Sequence, residues 1–363
     1  MIVVPVHEQN QVAAARRAAV ELAQRAGFTE TAAGRVAIVA TELATNLVKH
    51  GRGGRLLAGL SDVVGDAGNT GVDLIAIDKG PGIADVAAAL RDGFSTAGSA
   101  GHGLGAVRRQ AHAFHIYTHP GAGTAILARL EAGQPPLQRW AAHAPDSGDI
   151  NTPAPHPEAG AVCAPKLGEE VCGDDWHVNP MPGPASGIGP TAMVVDGLGH
   201  GPQAAEAAAA AVRLFKRYAG HPPAAIMETL HAGLRATRGA AVSIARFDGK
   251  RRVVVFCGVG NVAGALVSRT TGNAHRLLTY NGTVGHAVRR IQEVQYPYPD
   301  ASGRPMIILH SDGISTNWSL DAYPGLATAH PRLIAAVLYR DFSRDRDDAA
   351  VLVALGPGGG PSQ

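Results

Sequence analysis

Val36, Val39, Leu43 and Leu47 recur at three- and four-residue intervals, and Gly51 follows the run. The spacing predicts an amphipathic helix over residues 31–50, after an earlier helix over 10–26. Val72 to Ile77 is a short apolar run with the pattern of a buried strand. Leu104, Val107, Ala111 and Phe114 again keep helical spacing, which predicts a helix through all four. His115 to Thr118 and Thr124 to Leu130, on either side of His119-Pro-Gly-Ala-Gly123, predict a hairpin. Further on, the pattern shortens. Strands are predicted near 161–164, 191–195, 241–247, 252–257, 263–268 and 305–310, with a last one from Ala350 to Leu355. Helices at about 202–219, 222–237 and 331–341 interrupt them.

Between these two patterns lies a stretch without apolar periodicity. It opens at Glu131-Ala-Gly-Gln-Pro-Pro136 and closes at Asn151-Thr-Pro-Ala-Pro-His-Pro157, which reads as an extended linker. The expected organisation is a domain over 1–130, a Pro-rich linker over 131–160, a second domain over 161–355 and a flexible tail over 356–363. A length of 363 residues agrees with about two domains. The expected fold class is α+β: helices segregated from a largely antiparallel sheet in the first half, and a β-rich core flanked by helices in the second.

Charge narrows the function. Residues 1–130 hold 12 basic and 10 acidic side chains, leaving 20 of each in the rest. Neither half has the positive balance of a duplex-binding domain, so no nucleic-acid partner is expected. Uncharged apolar runs are too short for a membrane span, and the first residues carry no signal-peptide pattern. Cys163, Cys172 and Cys257 fit neither a disulfide framework nor a CxxC metal site, and read as small buried residues. A cytoplasmic protein is the expectation.

Three polar clusters in the first half carry candidate chemistry. Glu42 and Asn46 lie four apart, on one face of the predicted helix at the edge of its apolar stripe. A carboxylate and an amide oxygen there suit Mg²⁺ and the orientation of a hydroxyl. Asp78 ends the apolar strand in Asp78-Lys-Gly80-Pro-Gly82, placed to accept a hydrogen bond from an adenine amino group. Gly101, Gly103 and Gly105 open a helix whose backbone N–H groups suit phosphates. The small, polar residues 84–100 between these boxes read as a lid. Each cluster alone has a bland reading as a helix edge, a surface turn or a capped helix.

In this order, and with Gly123-Thr124 behind them, the clusters resemble the GHKL ATPase/kinase family, and within it the small anti-sigma-factor kinases of the RsbT/SpoIIAB type. The absence of a preceding helical hairpin with a phospho-accepting His argues against a sensor histidine kinase. The resemblance implies a Bergerat α/β sandwich that binds ATP and Mg²⁺. In it Asn46 ligates the metal, Asp78 reads adenine with Gly80 and Gly82, and Gly101, Gly103 and Gly105 cradle phosphates. Thr124 lines the nucleotide, and Glu42 acts as general base toward a serine or threonine hydroxyl.

In the second half, aspartates recur at strand ends: Gly173-Asp174 with Trp176, Asp196-Gly-Leu-Gly-His-Gly201, Ser311-Asp312-Gly313 and Asp347-Asp348. Hard oxygen ligands converging from strand ends suit Mg²⁺ or Mn²⁺. The order resembles the SpoIIE/RsbX branch of metal-dependent Ser/Thr protein phosphatases. That resemblance implies a β-sandwich flanked by helices, with two ions held by Asp174, Asp196, Asp312, Asp347 and the Gly197 carbonyl. His177-Val178 after the aromatic, and Ala350 in place of a final hydroxyl, depart from the family pattern. His200 is read as structural in its loop, and Trp176 as core packing.

Together the two resemblances imply a partner-switching regulator. Its partners would be STAS-domain proteins, either an anti-sigma antagonist or a stressosome-like scaffold, with a sigma factor as a further candidate. The alternative is a nucleotide-gated anti-sigma or STAS-binding module without useful kinase activity, fused to a phosphatase.

Overall fold

The computed structural model describes residues 1–61, 70–91, 103–133, 159–180, 187–300 and 303–357. The chain forms two compact units, Met1–Pro155 and His156–Gln363. Most of the expected linker, part of the expected lid and the tail from residue 358 lie outside the described residues.

The first unit runs β1 (Ile2–Val6), α1 (Gln9–Arg25), α2 (Glu30–Lys49), β2 (Gly54–Leu60), β3 (Gly71–Asp78), α3 (Val86–Ala89), α4 (Gly103–Gln110), β4 (Ala113–Thr118) and β5 (Thr124–Glu131). Two sequence devices start its long helices. A capping box links Glu8 and Gln11 ahead of α1, and the Thr29 hydroxyl accepts from Ala32 N at 3.3 Å ahead of α2. The strands form one antiparallel sheet in the order β1-β2-β3-β5-β4. Val36, Val39, Leu43 and Leu47 of α2 are buried in a core shared with α1, Val107 of α4, and Leu74 and Ala76 of β3. One buried charge pair crosses the sheet: Arg129 Nε and Nη2 donate to Asp73 Oδ1 and Oδ2 at 2.7 and 2.9 Å between register partners.

The helix predicted through Phe114 ends at Gln110. His112 N donates to Arg129 O, and Phe114 pairs with Ala128 as part of β4. Helical spacing was present, but pairing with β5 satisfies the backbone and still buries Phe114.

The second unit runs β6 (Ala159–Ala164), β7 (Asp174–Asn179), β8 (Ile188–Gly197), α5 (Pro202–Tyr218), α6 (Pro223–Gly233), β9 (Ala240–Asp248), β10 (Val253–Val259), β11 (Ala263–Val267), β12 (Ala274–Leu277), β13 (Gly282–Thr283), β14 (Ala287–Val288), β15 (Val294–Pro297), β16 (Met306–His310), α7 (Pro331–Phe342) and β17 (Ala349–Leu355). Two five-stranded sheets, β15-β10-β9-β8-β7 and β12-β11-β16-β17-β6, pack on each other through β7 and β8 against β6 and β17. Helices α5 and α6 cover the first sheet, and α7 covers β6 and β17 of the second. Phe215 of α5 and Met227 and Leu230 of α6 are buried against Met193, Val195 and Ile244. The layering brings the C-terminal ends of β8 and β16 and the start of β7 and β17 to neighbouring positions, where the acidic clusters sit.

Candidate functional sites

In the first unit the end of α2 meets the end of β3 through Gly51, Asp78 and Gly80. Glu42 and Asn46 are half-buried on α2, and their side chains have no hydrogen-bond partner among the described residues. The Asn46 carbonyl accepts from His50 N and Gly51 N, turning the chain out of the helix. Gly51 then packs directly on Asp78: a Cβ there would lie 2.8 Å from the Asp78 Cβ. The Gly80 position is as tight against Gly51, at 2.9 Å from its Cα. Asp78 Oδ1 accepts from Gly80 N at 2.8 Å and Thr124 N at 3.3 Å, so the box and the late Gly-Thr fix one carboxylate oxygen together. Gly123, at φ +80°, has no room for a Cβ, which would lie 2.0 Å from the Asp78 carbonyl. Gly82, at φ +74°, is closed in the same way by the His119 carbonyl. Thr118 Oγ1 joins the two loops, receiving Ile83 N at 2.9 Å and sitting 3.1 Å from Thr124 Oγ1.

Gly103 opens α4 with nothing within 4 Å of where its Cβ would be, while Gly105 is buried in the same helix. Gly101 lies outside the described residues. Gly51 and Thr118 contribute to the shape of this site beyond the four motif boxes. The sequence pattern marks Gly51 as a helix stop but not its contact with Asp78, which spans 27 residues of sequence.

In the second unit Asp174 and Asp196 are register partners on β7 and β8. Asp174 is buried, at 4% exposure, and its Oδ2 has no hydrogen-bond partner among the described residues. Burial, and then the neighbouring Asp196 charge, push its carboxyl well above the usual range, with a hydrogen bond to Ser311 opposing. Asp196 is pushed up to about 7, first by burial and then by Asp312, Asp347 and Asp348. Asp312 moves up through burial and Asp347, with Asn261 and Arg344 opposing. These carboxylates therefore feel one another. Among the described residues no three His, Cys, Asp or Glu side chains close around a single point. An orphaned buried oxygen within a self-repelling set of hard oxygen donors fits a divalent cation that keeps several waters.

The loops around this cluster are tight. A Cβ at Gly197 would lie 2.2 Å from the Ala204 carbonyl, and one at Gly313 2.0 Å from the Asp348 carbonyl. The two members of the Asp347-Asp348 pair do different things. Asp347 is exposed, whereas Asp348 is 2% exposed and accepts Lys166 N and Gly173 N, both at 2.8 Å, on its two oxygens. Ala350, where a hydroxyl was expected, meets Ser311 with its backbone instead: Ala350 N donates to Ser311 Oγ at 2.9 Å, and Ser311 N to Ala350 O at 3.0 Å.

Asn261, in the turn before β11, donates from Nδ2 to Asp312 Oδ2 at 2.5 Å. Sequence reading missed it because an Asn in a turn carries no signal without its distant partner. His200 is engaged in its loop by Glu169, Nδ1 to Oε1 at 2.9 Å. Trp176 is half-buried rather than core, since β7 is the edge strand of its sheet. Cys172 is likewise half-buried, with its sulfur 3.5 Å from that of buried Cys163, while Cys257 is buried.

No helix among the described residues is long and apolar enough to cross a membrane. Residues 6–130 match the family described as Histidine kinase-like ATPase domain, and residues 190–355 match Stage II sporulation protein E (SpoIIE). Over 117 residues the chain is 36% identical to the serine/threonine-protein kinase RsbT of Bacillus subtilis (strain 168), covering 32% of this chain and 86% of RsbT. Two solved structures are similar in part. One is described as "The bacterial stressosome: a modular system that has been adapted to control secondary messenger signaling", at 27% identity, 54% of this chain, 98% of that chain and a TM-score of 0.47. The other is RsbX in complex with magnesium, at 24% identity, 54% of this chain, 93% of that chain and a TM-score of 0.45. The chain belongs to the RsbT kinase family through its first unit, and joins that ATPase-type domain to a second unit that the SpoIIE family model matches.

Proposed function

We propose that this protein is a bifunctional partner-switching regulator. One unit phosphorylates serine or threonine on a STAS-type protein, and the other removes such a phosphate from it or a companion, within a bacterial sigma-factor or stress pathway. The observation that carries the reading is the presence, in one chain, of an Asp78 carboxylate cradled by Gly80 and Thr124 and of the facing carboxylates Asp174 and Asp196. The STAS-type target rests on the resemblance to RsbT-type kinases.

In the kinase reaction Asp78 would accept from the adenine amino group, Asn46 would hold Mg²⁺, and the start of α4 at Gly103 would face the phosphates. Glu42, half-buried and unpartnered among the described residues, would take the proton of the attacking hydroxyl. In the phosphatase reaction Asp174, Asp196, Asp312, Asp347 and the Gly197 carbonyl would hold two Mn²⁺ or Mg²⁺ ions. When bound, these ions supply charge neutralisation at phosphorus and acidify water. Asp348 and Ser311 keep the carboxylates in place, and Asn261 orients Asp312.

The test is Mn²⁺-dependent hydrolysis of an aryl phosphate by the purified chain beside Asp196→Ala. Activity lost in the variant supports the phosphatase unit. A folded wild type that stays inert on both an aryl phosphate and a phosphoserine protein removes it. For the first unit, Glu42→Ala separates two readings. Lost transfer with retained ATP binding supports the kinase, whereas partner capture without any transfer by the wild type supports a nucleotide-gated binding module.

A further inference from the structure

Arg238 lies in the short turn between α6 and β9, and that turn is fixed at several points. Thr237 Oγ1 donates to Leu234 O at 2.7 Å and accepts from Gly239 N at 3.0 Å. Gly239 has φ +76°, and its carbonyl accepts from Leu198 N at 3.0 Å. The next residue, Ala240, is the register partner of Gly197. The turn is therefore stitched to the Asp196–Gly201 loop by strand pairing and by a backbone hydrogen bond.

The side chain continues along that loop. A Cβ on Gly199 would meet a single neighbour within 4 Å, Arg238 Nη1 at 3.1 Å. The guanidinium thus rests against the bare backbone of Gly199, three residues from Asp196. It is exposed, and it has no hydrogen bond or ion pair among the described residues. The nearby Glu169 carboxylate is engaged by His200. The charges that act most strongly on Asp196 are all acidic, so Arg238 stands at the rim rather than among the carboxylates.

A guanidinium held beside a cation-binding acidic cluster, but not paired with it, matches one ligand chemistry. That ligand is a phosphate monoester, whose oxygens can bridge the bound cations and a planar fork of N–H donors. We propose that Arg238 is the phosphoryl-recognition residue of the second unit, taking two non-bridging oxygens of the phosphorylated substrate side chain as it reaches Asp174 and Asp196. This rests on the phosphatase reading.

The test measures kcat and KM for a phosphoserine peptide, and inhibition by inorganic phosphate, with Mn²⁺ present. Arg238→Ala is expected to raise KM and the inhibition constant of phosphate in parallel, by about tenfold, the size of one charge-assisted hydrogen bond at an exposed site. Its kcat should stay within about twofold, and Arg238→Lys should recover part of the loss. Arg235→Ala removes the same charge from another exposed position three residues earlier, and should change neither constant. Unchanged constants in Arg238→Ala, or an equal rise in Arg235→Ala, overturn the inference while leaving the phosphatase reading intact. A folded wild type without Mn²⁺-dependent activity removes both.

Discussion

Asp174 and Asp196 face each other across two paired strands, one buried and one half-buried; burial holds both carboxyls above their usual range, the Asp196 charge pushes Asp174 further up, and Asp312, Asp347 and Asp348 do the same to Asp196. Two carboxylates so placed are a cost in the metal-free protein and an asset once a divalent cation lies between them. Asp196→Asn should therefore leave the metal-free protein at least as stable as wild type. It should also shrink the rise in melting temperature that Mn²⁺ gives. Thermal melts with and without Mn²⁺ measure both effects, and a full Mn²⁺ shift in the variant would count against Asp196 as a ligand.

Adjacent acidic residues at the start of β17 should behave in opposite ways. Asp348→Ala strands the Lys166 and Gly173 N–H groups, at a cost of about 3 kcal/mol. Asp347 is exposed and accepts one N–H, that of Asp348 at 2.9 Å, so Asp347→Ala should cost less, about 1 kcal/mol, while weakening Mn²⁺ binding. Urea denaturation and Mn²⁺ titration of the two variants separate the roles.

Two glycines of the first unit offer a similar contrast. Gly34 sits inside α2 with nothing within 4 Å of a Cβ, so Gly34→Ala should stabilise by about 0.5–1 kcal/mol. Gly51→Ala places a methyl group 2.8 Å from the Asp78 side chain and should weaken ATP binding by tenfold or more. Nucleotide titration with a fluorescent ATP analogue reads the second effect. Equal affinity in Gly51→Ala would detach Asp78 from the nucleotide site.

His177 gives the second unit an acid sensitivity. Burial and then the charge of Lys216 lower its imidazole from the usual 6.5 to about 4. A depressed folded value means that the stabilisation is present above about pH 6.5, where the unfolded imidazole is also neutral. It is lost as pH falls toward 4, because the unfolded chain takes up the proton first. The difference in urea midpoint between wild type and His177→Gln should therefore change between pH 7 and pH 5, with wild type losing more. Parallel midpoints at both values would contradict this.

Much of the architecture could be read from periodicity. The stripe Val36, Val39, Leu43 and Leu47 announced α2, and the apolar run before Asp78 announced β3. What escaped was structure without an apolar pattern. β7 reads Asp-Asp-Trp-His-Val-Asn, polar because it is an edge strand that also carries Asp174. β2 begins with Gly54, whose bareness is required by the Ile77 carbonyl that a Cβ would meet at 2.3 Å. Phe114 kept helical spacing yet joined a strand, since local spacing cannot report the partner strand β5. For the sites, motif order located the acidic clusters, but the division of labour within Asp347-Asp348 and the reach of Asn261 to Asp312 depend on residues far apart in sequence.

The pairing of β6 with β17 has a consequence for how the protein comes into being. β6 lies near the start of the second unit and waits beside a position filled only by residues 349–355. The carboxylate that secures Lys166 and Gly173 arrives with the same segment. The first unit, by contrast, has its entire sheet by residue 131. During synthesis the ATPase-type domain can complete its fold while the second unit still exposes an open sheet edge. On the ribosome the two units are therefore born in sequence, the kinase-family half first, and the SpoIIE-family half only once the final strand has emerged.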